Sequence, residues 1–137
     1  MIVIVCVDDK NGMMFNKRRQ SRDYILIEDV LKEVGDHALW MNEYSAKQFI
    51  DCKVNVSEDF LNLAKSGEYC FVENCSLKEY ENQIERIILY HWNRTYPSDF
   101  YFTIDVTTSL WQTVKVEEFA GSSHEKITKE IFERKPS

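Results

Sequence analysis

The chain has 137 residues, 44% of them hydrophobic and 29% charged, with only four glycines and two prolines. These are the proportions of one ordinary folded domain, and they exclude a disordered chain, a coiled coil and a collagen-like repeat. Seventeen Lys and Arg stand against 23 Asp and Glu, a net charge of −6, so a polyphosphate is repelled on average and nucleic-acid binding by bulk charge is not expected.

Residues 1–7, Met1-Ile2-Val3-Ile4-Val5-Cys6-Val7, are apolar and rich in Ile and Val, which predicts a strand buried on both faces. No basic residue precedes this run and no small-residue cleavage site follows it, so it does not read as an export signal, and a cytoplasmic setting is expected. No apolar stretch approaches the ~20 residues needed to span a bilayer, so no membrane partner is expected.

Asp8-Asp9-Lys10-Asn11-Gly12 is a turn signal, because Asn-Gly tolerates positive φ. Residues 13–22 read as a loop. Leu26, Ile27, Val30, Leu31 and Val34 fall at helical spacing, which predicts a helix over 23–34 that Gly35 closes. Strands are expected at 38–41 and 52–56, with a short helix at 44–50 between them. Ser57 suits the N-cap of a helix through Lys65, and Gly67 ends it. A strand follows at 69–72. Ser76 and Glu79 form a capping-box pattern that opens another helix. Ile87-Ile88-Leu89-Tyr90 reads as a buried strand, 93–99 as a loop with Pro97, and 100–106 and 111–119 as strands.

The C-terminus admits two readings. Ser122 and Glu125 match a capping box, and Ile127 and Ile131 are four apart, which favours a helix locally. A hairpin from 111–119 through Ala120-Gly121-Ser122 to a last strand is the rival. Strands alternating with helices, then adjacent strands, predict an α/β fold with a largely parallel sheet and an antiparallel edge.

The cysteines at 6, 52, 70 and 75 form no CxxC pair, and His37, His91 and His124 are scattered. Reduced thiols are expected, without a metal site. The clustered metal-binding histidines of a hydrolytic nuclease are missing. So are a P-loop, a Gly-x-Ser-x-Gly elbow and a dinucleotide-binding glycine fingerprint.

Four groupings carry candidate chemistry. Lys17, Arg18, Arg19 and Arg22 lie within six residues that hold no acid. They suit an anionic small molecule just ahead of a helix N-terminus, or simply a solvated loop. Asp23, with Thr103 on a later strand, can serve as a proton donor or substrate anchor if partial burial raises its pKa. The plainer alternative is an acid that favours the helix dipole. His91, Trp92 and Arg94 end a buried strand, where α/β sheets bind ligands. The alternative there is aromatic packing, with Arg94 paired to Asp99. Ser123-His124-Glu125 invites a triad reading, but sequence neighbours seldom have triad geometry.

The order of these pieces resembles dihydrofolate reductase. Ile2 to Asp8 followed by Asn11-Gly12-Met13-Met14-Phe15 is similar to that family's first strand and its "VDxNGxIG" loop. Arg19-Gln20-Ser21-Arg22-Asp23 resembles its "LPxD" segment, and Phe100-Tyr101-Phe102-Thr103-Ile104-Asp105 its "LYLTxI" strand. Trp111–Phe119 and Ile127–Arg134 look like its closing hairpin. The resemblance therefore favours a strand at the C-terminus, and a mixed sheet, mainly parallel with an antiparallel C-terminal hairpin, flanked by helices. It also implies that Asp23 takes the place of the carboxylate that holds the pterin ring, with Thr103 as its support.

Two departures accompany the likeness. His91 and Trp92 fall where the family carries the Gly-Gly pair that admits NADPH. Asn42-Glu43-Tyr44-Ser45 fall where Gly-Arg-x-Thr grips the cofactor phosphates, and Glu43 would repel a 2′-phosphate. The expectation is a reductase-like domain without standard NADPH/folate activity. It would act as a small-ligand binding module or as an assembly module that forms a homo-oligomer, and no particular cofactor follows. The alternative is a reductase-type enzyme that uses Asp23 on a pterin-like or other heterocyclic substrate.

Overall fold

The structure is a computed structural model and describes residues 1–136. In chain order the elements are β1 (Ile2–Val7), β2 (Gly12–Phe15), β3 (Arg18–Arg19), α1 (Tyr24–Val34), β4 (Leu39–Met41), α2 (Glu43–Ala46), β5 (Asn55–Val56), α3 (Phe60–Leu63), β6 (Tyr69–Phe71), a 3-10 helix (Lys78–Gln83), β7 (Arg86–His91), β8 (Phe100–Tyr101), β9 (Trp111–Phe119) and β10 (Ile127–Arg134). Seven strands form the main sheet in the order β5-β4-β6-β1-β7-β10-β9, and a second sheet runs β3-β2-β8. Neighbours among β5, β4, β6, β1 and β7 are parallel. β10 is antiparallel to both β7 and β9. The mixed sheet with its antiparallel closing hairpin is the predicted architecture.

β1 lies at the centre because its side chains are apolar on both sides. Val3, Val5 and Val7 face one core with Phe60, Leu77, Ile84 and Ile87. Ile2 and Ile4 face the other, with Leu26, Val30 and Val34 of α1. Each buried aliphatic side chain of α1 stabilises the docking by about 2 kcal/mol. The helix starts where Asp23 accepts hydrogen bonds from the Ile25 and Leu26 N–H groups, and it stops at Gly35, whose φ of 57° suits glycine. Lys129 of β10 fixes its outer face. The buried ammonium lies 2.8 Å from Asp29 and 2.6 Å from Glu33, and the Tyr90 hydroxyl donates to Asp29.

Several elements depart from the sequence reading. Residues 13–22 contain a hairpin, β2–β3, paired Met14 to Arg19 and Phe15 to Arg18. Asn16 and Lys17 both have positive φ, 51° and 62°, as a tight two-residue turn of inverted type requires. That turn lacks the glycine that would have announced it. The expected strand 100–106 pairs only at Phe100–Tyr101, in the small sheet. Its alternation is real, with Phe102 and Ile104 buried and Thr103 and Asp105 exposed, but it records packing rather than a ladder. The strand expected at 52–56 pairs only at 55–56.

The helices read from capping signals are also shorter. Ser57 Oγ accepts from the Asp59 N–H, and the helix itself is only Phe60–Leu63. Ser76 Oγ accepts from Lys78, but the following 3-10 helix buries no residue that would extend it. At the C-terminus the strand prevails, since β10 pairs along both edges. Ser122 does accept a helix N–H, but it is that of Tyr24 in α1.

Candidate functional site

In an open α/β sheet, ligands bind beyond the carboxyl ends of parallel strands, where the connections from neighbouring strands leave to opposite faces. Here the chain leaves β1 for α1 on one face and leaves β6 for the 3-10 helix on the other. The crevice therefore lies between the ends of β1 and β6, and both the turn after β3 and α2 reach it. His91 and Trp92 end β7, on the other flank of β1, so they do not stand in that crevice. This corrects the expectation that they block a dinucleotide there.

Arg19 and Glu73 fill the crevice instead. The Arg19 guanidinium donates to Glu73 twice, through Nε at 2.9 Å and a terminal nitrogen at 3.1 Å. It lies 4.3 Å over the Tyr44 ring and donates to the Tyr44 carbonyl. The Arg19 N–H donates to the Tyr44 hydroxyl at 2.8 Å, and Ser45 Oγ donates to Glu73 at 2.8 Å. A partly buried fork of this kind holds one geometry and excludes solvent from its core. Beneath it, burial and then the Glu73 charge push the Cys6 thiol well above its usual range. Burial likewise pushes the Cys70 thiol up to about 12, so both sulfurs are poor nucleophiles.

Two buried aspartates anchor the loops around this crevice. Asp8 Oδ1 accepts from the Lys10 and Gly12 N–H groups, and Oδ2 accepts from Tyr96 N–H, Ser98 Oγ and Gln20 Nε2. Burial opposes its charge, but the backbone donors outweigh burial and hold the carboxyl below its ordinary value. Gly12 is required here, because a Cβ would sit 2.0 Å from Ser98 Oγ.

Asp23 is more completely engaged. Oδ1 accepts from Ile25, Leu26 and Ser122 N–H at 3.0, 3.1 and 2.9 Å. Oδ2 accepts from Ser123 N–H at 2.8 Å and Ser123 Oγ at 3.0 Å, and His124 Nδ1 lies 3.3 Å away. Its side chain has no exposure. Burial is again overcome, here by the Ser122, Ser123 and Leu26 N–H groups and the Ser123 hydroxyl, which hold the carboxyl far below its usual range. A carboxylate held this way is a permanent acceptor at neutral pH, with no proton to give.

His124 continues the chain of contacts. Its Nε2 meets the Tyr96 hydroxyl at 2.8 Å, and its ring stacks on buried Trp92 at 4.5 Å. Ser123 Oγ and Asp23 both approach the same ring nitrogen, Nδ1. A triad needs its nucleophile and its acid on opposite nitrogens, so this is not one.

The remaining candidates are dispersed. Thr103 is exposed in a cleft with Asn11 and Leu89, whereas Asp23 lines a different cleft with Ser122 and Ser123, so the expected Asp23–Thr103 pair, joined through water, is not assembled. The cause is that Thr103 follows β8 in the small sheet, outside the strand beside β1. His91 Nε2 is 2.6 Å from Glu130. Arg94 is exposed and its carbonyl accepts from Asp9. Asp99, its expected partner, accepts from the Asn16 N–H instead. Lys17 and Arg18 are exposed at the hairpin turn, and Arg22 lies 5.9 Å over the Tyr24 ring. Among the described residues none of these three has an ion-pair partner.

Arg18 lines a groove of about 510 Å³ with Phe15, Gln20, Tyr96 and Pro97. Gln20 Oε1, at that groove, is a buried acceptor with no partner. Among the described residues no three His, Cys, Asp or Glu side chains converge as a metal site would require. The same residues include no helix long and apolar enough to cross a membrane.

A dinucleotide does not fit the crevice as it stands. Glu73 and Arg19 occupy it. At the start of α2 the Glu43 N–H is already donated to Glu58 and the Ser45 N–H to Asn42, so two of the donors a phosphate would use there are engaged.

No protein-family model matches the sequence, and no curated protein matches it. The structure is similar to dihydrofolate reductase from Enterococcus faecalis, solved with NADP(H) and RAB-propyl. The TM-score is 0.70 over 98% of this chain and 96% of that one, at 13% sequence identity. The chain therefore has a dihydrofolate reductase-like fold. The residues that seal its crevice, Glu73 and Tyr44, were not singled out from the sequence. Nor were Gln20 or Asp8. An acid in an apolar run, such as Glu73 directly after Tyr69–Val72, was the one local signal available.

Proposed function

We propose that this chain is a small-ligand binding module on a reductase-like scaffold, without NADPH/folate reductase activity. Its ligand is an anionic molecule with a flat ring. The groove between the β2–β3 turn and the 93–99 loop receives it. Arg18 meets the charge, and Phe15, Tyr96 and Pro97 offer apolar walls. One observation carries this reading: the chain's own groups already saturate Asp23 and the β1/β6 crevice, while Arg18, in the open groove, has no ion-pair partner among the described residues.

A thermal-shift panel with NADPH, folate, mononucleotides, inorganic phosphate and divalent metals tests it. A ligand at 100 times its dissociation constant stabilises by about 2.7 kcal/mol. The expected result is a shift with an anionic ring compound such as a mononucleotide, lost in Arg18→Ala. Shifts with NADPH and folate that vanish in Asp23→Asn, together with NADPH oxidation, would favour the reductase reading that uses Asp23. A panel without any shift would defeat the binding module.

A further inference from the structure

β9 is an edge strand of nine residues that pairs only with β10. Residues 112–116 are all exposed, so neither face of its first half is covered. Val114 and Val116 expose 46% and 57% of their surface. A long bare edge with β-branched side chains is a template for another strand, and natural proteins usually blunt such edges with charge or a bulge. β9 carries both devices, in Lys115 and in a bulge. The bulge falls at Val114, since Ile131 pairs with Lys115 and Phe132 with Thr113. It leaves Lys115–Phe119 regular.

We propose that β9 pairs with β9 of a second copy of this chain, antiparallel, about a two-fold axis through Val116. In that register Val116 meets Val116 of the other copy, Lys115 faces Glu117, and Glu117 faces Lys115. The bulge at Val114 ends the regular pairing on each side, so the matched segment is Lys115–Glu117 of both copies. The lysine that would deter a foreign strand meets an acid at both symmetry-related positions. A shift of the axis by one residue, to Lys115, would set two lysines face to face. Opposite charges directly across a ladder stabilise it and like charges oppose it. Lys115 and Glu117 already form an ion pair within one copy, so both are directed to the same face.

The other sheet edge, β5, has only two residues, Asn55–Val56. Head-to-tail stacking of β9 on β5 has neither the matched charges nor a closing symmetry, whereas self-pairing of β9 closes as a symmetric dimer. The two sheets then join into one continuous sheet. The switch-point crevice lies beyond β10, β7 and β1 from this edge, so the pairing does not cover it.

Sedimentation velocity of the full chain over a wide concentration range tests the proposal, with charge variants as the decisive arm. Lys115→Glu and Glu117→Lys each set like charges across both pairs, and each is expected to weaken self-association about tenfold or more. Mixed one to one, the two variants restore complementary pairs and are expected to form a heterodimer. The double variant Lys115→Glu/Glu117→Lys is expected to dimerise like the native chain. Both positions are exposed, and circular dichroism with thermal melting checks that each variant is folded. A native chain that stays monomeric throughout overturns the proposal. So does association that ignores both single substitutions, or a mixture that fails to pair. None of these readouts depends on the ligand groove, so failure here leaves the binding reading intact.

Discussion

Replacing Asp23 by asparagine separates a structural carboxylate from a chemical one. The amide keeps one oxygen, which can serve the Ile25, Leu26 and Ser122 N–H groups that Oδ1 now accepts. Its NH2 then replaces Oδ2 and points hydrogens at the Ser123 N–H. One donor is left unpaired, a donor faces a donor, and every surviving bond loses the help of a full charge. Bonds to a charged acceptor contribute about 1.5–3 kcal/mol each, and an orphaned donor costs about 1–3 kcal/mol. The exposed Ser123 backbone recovers part of this from water. A loss of about 3 kcal/mol follows, or about 10 °C in Tm for a chain this size. Asp23→Ala also removes the helix cap and adds about 1 kcal/mol. Urea unfolding checks both, with a lower midpoint at an unchanged slope. A carboxylate retained for chemistry is commonly a burden on stability, and removing it leaves the fold as stable or more so. If Asp23→Asn matched or exceeded the native chain in stability, the argument that Asp23 is a structural tie would be refuted.

Acid should act through the same two groups. Asp8 and Asp23 are both held below their unfolded value, so their contribution is complete above about pH 4 and is lost as the pH falls through the folded values. Urea midpoints should therefore drop steeply below about pH 4, and Asp8→Asn and Asp23→Asn should each flatten that drop. Lys129→Met leaves Asp29 and Glu33 facing each other without their cation, at a cost of about 3 kcal/mol by urea unfolding. The triple change Lys129→Met/Asp29→Asn/Glu33→Gln should recover most of that loss. Lys17→Gly relieves the left-handed residue of the β2–β3 turn and should stabilise by about 1 kcal/mol, with a matching rise in Tm. An unchanged Tm would mean that the turn is not held in solution.

How much of this was legible varied with the range of the forces involved. β1, α1 and β9 were plain in the sequence. Their apolar periods are long, and Asp23 and Gly35 punctuate α1 at both ends. Helices read from Ser57 and Ser76 were overextended, because a cap fixes where a helix begins but not whether a buried face sustains it. The β2–β3 hairpin was hidden, since Asn16-Lys17 adopts a turn that usually needs glycine. Asp23 stood out by its place in a motif, yet its partners at Ser122 and Ser123 are about a hundred residues away, and no local pattern announces them. Glu73 and Arg19 were invisible as a pair for the same reason. Thr103 shows the opposite error. Its motif reads as a strand, but residues 102–105 pair with no other strand.

The tie between Asp23 and Ser122–Ser123 also constrains when the molecule can form. α1 is made early in synthesis, but three of the five donors to its capping carboxylate arrive 99 and 100 residues later. β10, which joins β7 to β9, comes later still. Until those segments leave the ribosome, the first helix lacks its latch and the sheet is missing one flank. Closure of such distant contacts is slow relative to helix growth. The nascent chain can therefore pair β1 with β6 and β7, while the outer edge of β7 waits for β10.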